Sequence, residues 1–332
     1  MHRAVRIILK LFAVLSAVGL CALLYLFSFG YFAPVPTVGY LSSERQLPYL
    51  DLEALESELA TQEISFLPVA VNQQDYATAV NTLLEAKVNV VVVSTDSGAL
   101  DETLLSMAKE NGLSLILVGS SPSDELIASY DKMWYVGSEP SLAGETLGNA
   151  IKQASEQGVV LDANGDHLLQ YAYYLSEDGP YYQTMVESAL EQGEHYGLFH
   201  QQLLADAESG EPLAFDTATL VAQPQPELIL ATNEADLRTV HQVAQELGWL
   251  TNETPTALAA IAPNVKQAET LMAENLCFAV AYYDLQAVTE TVAELAENSV
   301  NSSYAGEDML RCPDETGRFY IPFGMISNLP TT

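Results

Sequence analysis

The chain has 332 residues, enough for two packed domains of about 150 residues each. A hydrophobic content of 49%, laid out in regular apolar runs, excludes a disordered polypeptide. Twelve Lys and Arg stand against 44 Asp and Glu, a formal charge of −32, and such a field repels phosphate backbones, which argues against nucleic-acid binding.

Arg3, Arg6 and Lys10 precede Leu11–Phe32, 22 residues without a charge. That length spans a bilayer as a helix, and the cationic flank keeps the N-terminus cytoplasmic. Residues 1–33 are therefore expected to be an uncleaved signal anchor. It would be a single pass through the inner membrane with the main domain in the periplasm. Cleavage, leaving the domain secreted to the periplasm, is the alternative. Leu20 is too large for a lipid-attachment box at Cys21. Cys277 and Cys312 are the thiols beyond the anchor. An oxidising compartment permits their pairing, and two buried free thiols are the other reading.

After Pro34-Val35-Pro36, strand and helix patterns alternate. Strand Thr37–Leu41 is followed by helix Leu52–Ala60, strand Ile64–Val69, helix Tyr76–Lys87 and the β-branched run Asn89–Val93. The last suits a central parallel strand buried on both faces. A helix from Asp101 stops at Gly112, and strands Leu113–Val118 and Met133–Gly137 precede helix Pro140–Gln157. A second copy of the alternation then begins. It comprises strand Leu168–Leu175, helix Gln183–Gln192, strand Tyr196–Gln202, helix Pro212–Ala222, strand Glu227–Ala231, helix Leu237–Leu247, strand Thr256–Ile261 and helix Val265–Ala273. The pattern predicts an α/β chain with two doubly wound, Rossmann-like lobes facing a cleft, whose ligand collects at the carboxyl ends of the strands.

Between the two copies lies Asp162-Ala163-Asn164-Gly165-Asp166-His167-Leu168-Leu169-Gln170. Asp162, Asn164, Asp166 and Gln170 fall at loop positions one, three, five and nine, with the Leu168 carbonyl at seven. This is the spacing of oxygen ligands around Ca2+. Tyr173 stands where an EF-hand has its bidentate Glu, and His167 where Gly is wanted, while Gly165 sits at position four. The alternative is an Asn-Gly-Asp turn with solvated carboxylates.

The run Ser129-Tyr130-Asp131-Lys132-Met133-Trp134-Tyr135-Val136-Gly137-Ser138, the acidic loop and the tail Arg318-Phe319-Tyr320-Ile321-Pro322-Phe323-Gly324 together resemble the galactose/glucose-binding proteins. These are type I periplasmic binding proteins, and the resemblance runs from about Thr37 to Leu329. It implies an N-terminal lobe of 36–138 plus 283–306 and a C-terminal lobe of 139–282 plus 307–332 around a hinge. Crossovers are expected near Val136–Pro140, Ala281–Asp284 and Asn301–Asp308. The resemblance also supplies the missing calcium ligand, Glu227, from the run Glu227-Leu228-Ile229-Leu230-Ala231-Thr232-Asn233-Glu234, and implies a structural ion.

The family's sugar grip carries over poorly. Ser94 replaces an Asn, Val186 stands where an Arg would be, and Ala260 where an Asp would be. The loop Glu177-Asp178-Gly179-Pro180-Tyr181-Tyr182 lacks the family's His and Asp, and Ser42-Ser43-Glu44-Arg45-Gln46 does not align. Asn233 is retained, and Tyr282-Tyr283-Asp284 covers the last polar position. Ser94, Asn233 and Asp284, with Tyr181, Tyr182, Tyr282 and Tyr283 as stacking surfaces, are the candidate ligand residues. Tyrosines that merely pack the lobe interface are the alternative.

A membrane-anchored solute-binding or sensor protein is the expected function. It would bind a small molecule, a carbohydrate among the candidates, for an ABC transport permease or a sensor kinase. A degenerate relative acting through protein–protein contacts is the alternative. No enzyme is expected: Gly119-Ser120-Ser121 is a strand-end turn, and His195 and His200 would point to opposite faces of one strand. His167 and His241 stand alone as surface candidates.

Overall fold

The computed structural model describes residues 35–43, 50–71, 76–95, 98–174, 180–205, 213–301 and 309–329, with 16, 18 and 20. The anchor expected over 1–33 lies outside them save for those three positions, as do Glu44–Gln46 and Glu177–Gly179. Among the described residues no helix is long and apolar enough to cross a membrane.

Two six-stranded sheets carry the fold. The first contains β1 (Thr37–Ser43), β2 (Ser65–Val71), β3 (Val90–Thr95), β4 (Ser114–Gly119), β5 (Met133–Gly137) and β11 (Arg318–Tyr320). The second contains β6 (Leu169–Tyr174), β7 (His200–Gln202), β8 (Leu228–Ala231), β9 (Ala257–Ala262), β10 (Ala279–Tyr282) and β12 (Gly324–Ser327). The orders β2-β1-β3-β4-β5 and β7-β6-β8-β9-β10 repeat one topology, each sheet receiving a tail strand on its far edge. All pairings are parallel except β12 on β10.

The helices are α1 (Leu52–Thr61), α2 (Tyr76–Glu85), α3 (Glu102–Asn111), α4 (Asp124–Ala128), α5 (Pro140–Glu156), α6 (Pro180–His195), α7 (Thr217–Leu220), α8 (Glu234–Glu246), α9 (Val265–Ala273) and α10 (Leu285–Asn301). Their ends follow local chemistry. The Asp101 carboxylate accepts from Thr103 N at 2.8 Å to start α3, and Gly112 ends it at φ 66°. Pro140 opens α5, where an N–H would lack a partner anyway.

Strand periodicity sorts the core onto the two faces of each sheet. Val90 and Val92 turn toward Leu55, Leu59, Val288 and Val292 of α1 and α10, while Val91 and Val93 meet Leu83, Leu104 and Ile127 of α2 to α4. Every residue of β3 is buried, and each such Val contributes about 1.5–3 kcal/mol. In the second sheet Leu228, Leu230 and Ile261 face α5 and α6, and Ile229, Leu258 and Val280 face α8 and α9. Helices α5 and α6 touch through Gly144 and Gly148: a Cβ there would stand 2.4 Å from the Met185 carbonyl and 2.5 Å from that of Ala189. The outer strand β2 carries Pro68 opposite Tyr40, which removes one N–H from that edge.

Several expectations need correction. The segment 307–332 does not belong whole to the second lobe, because β11 pairs with β5 in the first sheet and only β12 joins the second. The third crossing is thus at Ile321–Phe323. Residues 302–308 lie outside the described set. The strand expected over Tyr196–Gln202 shrinks to three residues and the helix over Pro212–Ala222 to four. Helix α6 begins at Pro180, so Tyr181 and Tyr182 stand in its first turn instead of a loop.

Candidate functional site

The lobes meet along three crossing segments, and the tail runs between the other two. Ile321 N donates to Gly137 O at 2.8 Å, and Ser138 Oγ donates back to Ile321 O. On its other side Phe323 packs edge-on against Tyr283 at 5.9 Å between ring centres. Ser138, Tyr283, Ile321 and Phe323 are all buried, so this joint is dry and well packed. Burial, with the Glu139 carboxylate nearby, pushes the Tyr320 phenol up to about 12. The tail is also tied to the loop after β4: Arg318, 5% exposed, donates to Pro122 O at 2.8 Å and pairs with Asp124 at 2.8 Å.

The candidate ligand residues fall at carboxyl ends of strands, where such sheets hold ligands. Ser94 lies near the end of β3, Asn233 just beyond β8, and Tyr282 ends β10. Several are occupied by the fold. Asn233 caps α8, its Oδ1 accepting from Asp236 N at 2.8 Å and its Nδ2 donating to Asp236 Oδ2 at 2.8 Å. Asp284 accepts from Ala287 N at 3.0 Å at the start of α10. Tyr283 is packed in the joint, and Ser94 is 5% exposed with contacts of its own. Tyr282 is half-buried at the β10–β12 edge. Val186 and Ala260, which take the places of polar residues in the family, are core. An Asn at a strand–helix junction, three residues before Asp236, is the sequence signal of this cap.

The acidic loop folds around its own carboxylates. Asp162 Oδ1 accepts from Gly165 N at 2.7 Å and Oδ2 from His167 N at 3.0 Å. Asp166 Oδ1 accepts from Leu168 N at 2.8 Å, and Gln170 Nε2 lies 3.0 and 2.9 Å from the two Asp166 oxygens. Asn164 Oδ1 accepts from Asp166 N at 2.9 Å. His167 takes φ 65° and Gly165 φ 73°, so His does fill the left-handed position that the pattern reserves for Gly. Glu227, buried at the head of β8, reaches this loop: Oε1 accepts from Ala163 N and Oε2 from Gln170 N at 3.0 Å.

Burial, with Asp162 and Asp166 nearby, raises the Glu227 carboxyl above the usual range, while the hydrogen bonds from Leu168 and Gln170 lower Asp166. The His167 ring nitrogen Nδ1 lies 3.3 Å from Asp162 Oδ2. Among the described residues no three His, Cys, Asp or Glu side chains converge on a metal position, since the loop's own N–H groups hold the carboxylate oxygens. The donor set nevertheless suits a hard cation: three carboxylates, two amides and one carbonyl, with no Lys or Arg ion-paired to them among the described residues.

The remaining singled-out residues are accounted for. Cys277 is buried, its thiol pushed up to about 12 by that burial, and Cys312 is exposed; both are free. Neither expected arrangement, a bridge or two buried thiols, is formed. His195 ends α6 and His200 starts β7, so they do not share a strand. His241 borders a cavity of about 490 Å³ at the far end of the second sheet, with Asn275, Phe278 and Asn328.

The repeated topology, the antiparallel last strand and the triple joint define the type I periplasmic-binding-protein fold. The chain's sequence is 25% identical over 128 residues to the D-galactose/methyl-galactoside binding periplasmic protein MglB of Haemophilus influenzae, covering 38% of this chain and 39% of that one. The match therefore spans about two-fifths of that relative's length. No family model matches the chain. An ABC transporter solute binding protein from Bacillus halodurans C-125 with bound myo-inositol superposes with a TM-score of 0.57 at 15% identity, over 89% of this chain and 95% of that one. A mutant XylFII–LytSN complex gives 0.59 at 13% identity, over 89% and 98%. The first of these is named a binding periplasmic protein and the second a solute binding protein.

Proposed function

We propose that this chain is a periplasmic solute-binding protein that closes its two lobes over a small polyol or sugar. The observation that carries the reading is the three-segment joint, which leaves two parallel sheets hinged at the carboxyl ends of their strands. The myo-inositol complex of a relative sharing this fold supports the ligand class. The hexose contacts of the galactose-binding family are not reproduced, because Val186 and Ala260 are buried apolar residues. Tyr282, half-buried at the end of β10, is the stacking surface offered to a ring.

Tethering through Leu11–Phe32 would hold the protein beside a permease or a sensor kinase, and the XylFII–LytSN complex supports a protein partner for a chain of this fold. The Asp162 loop with Glu227 is a structural calcium site in this reading. Asp162, Asn164, Asp166, the Leu168 carbonyl, Gln170 and Glu227 would hold the ion, which supplies charge neutralisation and no chemistry.

Isothermal titration against D-galactose, D-allose and myo-inositol tests the ligand class. A saturable one-site isotherm for one of them is the expected result, and flat isotherms for the whole set from folded protein overturn it. The use of Asn233, Tyr283 and Asp284 as structural residues favours a second reading. In it the cleft is empty of solute and the domain acts through protein contacts; uniformly flat isotherms select that reading.

A further inference from the structure

A cavity of about 490 Å³ opens at the amino ends of β9 and β10, opposite the carboxyl ends that face the cleft. Its wall is built from the starts of two strands: Ala257 and Leu258 of β9, and Cys277 and Phe278 just before β10. His241 reaches it from α8, and Leu329 from the stretch beyond β12. Backbone bonds fix this frame: Phe278 N donates to Leu258 O at 2.9 Å, and Asn328 N to Phe278 O at 2.9 Å. The cavity is therefore preformed, and its size falls within the range of about 300–1,000 Å³ usual for small-molecule sites.

Its chemistry departs from the rest of the surface. The chain carries 44 Asp and Glu, yet no Asp, Glu, Lys or Arg lines this cavity. Leu258, Phe278 and Leu329 are buried apolar walls, while Asn275 and Asn328 are exposed and form a polar rim. Thr256 is already used by the fold, donating to Pro226 O at 2.7 Å and accepting from Gln225 Nε2 at 3.0 Å. His241 is not: among the described residues its ring makes no hydrogen bond or ion pair. Burial lowers its pKa, so at neutral pH it offers one N–H donor and one acceptor nitrogen without charge.

We propose that this cavity is a second small-molecule site, separate from the cleft, for an uncharged aromatic compound whose single hydroxyl hydrogen-bonds His241. Size sets the ring count: about 150 Å³ holds a benzene, so the volume here accommodates two fused rings and their polar group. The apolar walls take the ring, and the imidazole fixes its orientation. A carboxylate, phosphate or amine would shed its hydration against these walls with no counter-charge to meet it. A sugar fits poorly too, because most of its hydroxyls would face Leu250, Leu258, Leu276 and Phe278.

The test uses the full chain in detergent with labelled leucine methyl groups, titrated with 2-naphthol and followed by NMR. Saturable shifts at Leu250, Leu276 and Leu329 are expected, and 2-naphthoate, the same rings bearing a carboxylate, should cause none. His241→Leu should weaken 2-naphthol by about tenfold, near the upper worth of one hydrogen bond, and His241→Gln, which keeps a donor and an acceptor, should recover most of the loss. Excess myo-inositol should leave the shifts unchanged, because the cleft lies at the other end of the strands. Shifts that do not saturate, equal binding of 2-naphthoate, displacement by myo-inositol, or parent-like binding by His241→Leu each overturn the site. Flat sugar isotherms leave this readout standing, and absent naphthol shifts leave the cleft proposal untouched.

Discussion

The ring of Tyr282 occupies the space where a side chain at Gly324, its antiparallel partner on β12, would stand. A Cβ there would lie 2.2 Å from the ring carbon Cζ and 2.5 Å from the hydroxyl oxygen. The crowding atoms are the far end of a side chain, so Gly324→Ala is expected to swing the ring aside at modest cost. In a Tyr282→Ala background the same change should be close to neutral. Chemical denaturation of the four variants gives the coupling directly, and equal losses in both backgrounds would show that the ring is not the obstacle.

Gly148 presents the opposite case. A Cβ at that position would meet the backbone carbonyl of Ala189 at 2.5 Å, and α6 cannot turn a carbonyl aside as a ring is turned. Gly148→Ala must push α5 and α6 apart, with a loss of about 1–3 kcal/mol expected for overpacking. Denaturant midpoints would read it; a midpoint equal to that of the parent would mean the helices do not pack this closely.

Calcium removal should destabilise the second lobe. A ligand present at 100 times its dissociation constant stabilises by about 2.7 kcal/mol, so melting in calcium against melting in chelator should separate clearly. Glu227→Ala should abolish that separation and lower the chelated baseline as well, since Ala163 N and Gln170 N lose their acceptor. Identical melts of the parent in both buffers would reduce the loop to a hydrogen-bonded turn.

His241 supplies a pH dependence. Burial holds its pKa below the usual range, favouring the neutral ring in the folded chain. That contribution is full above the ordinary histidine value, about 6.5, and is lost as pH falls through the depressed folded value. His241→Gln should therefore flatten the decline of melting temperature between about pH 7 and pH 5, the range where histidine titrates. Parallel curves for parent and variant would assign the decline to other groups.

The alternation of strands and helices is readable because most of these elements are apolar runs, of period two or of helical spacing, with their own punctuation. Met133–Gly137 and Val265–Ala273 were placed to the residue for that reason. The tail resisted the same reading. Strands β11 and β12 are three and four residues long, below the length at which period-two alternation shows, and what defines them is pairing with β5 and β10 far back in the chain. At the site, residue type conveyed oxygen ligands and capping groups but not which job each performs. Asn233 and Asp284 suit either a hydroxyl ligand or a helix terminus, and here both terminate helices. Glu227 needed a resemblance, because nothing in a local pattern links the residue before β8 to Gln170, 57 positions earlier.

The last two strands also govern how this polypeptide can assemble. Until residues 318–327 emerge, Met133–Gly137 and Ala279–Tyr282 are bare margins offering their N–H and C=O groups to any passing strand. Neither half can be finished ahead of the other, so a chain shortened before Arg318 would leave two adhesive edges instead of one truncated lobe.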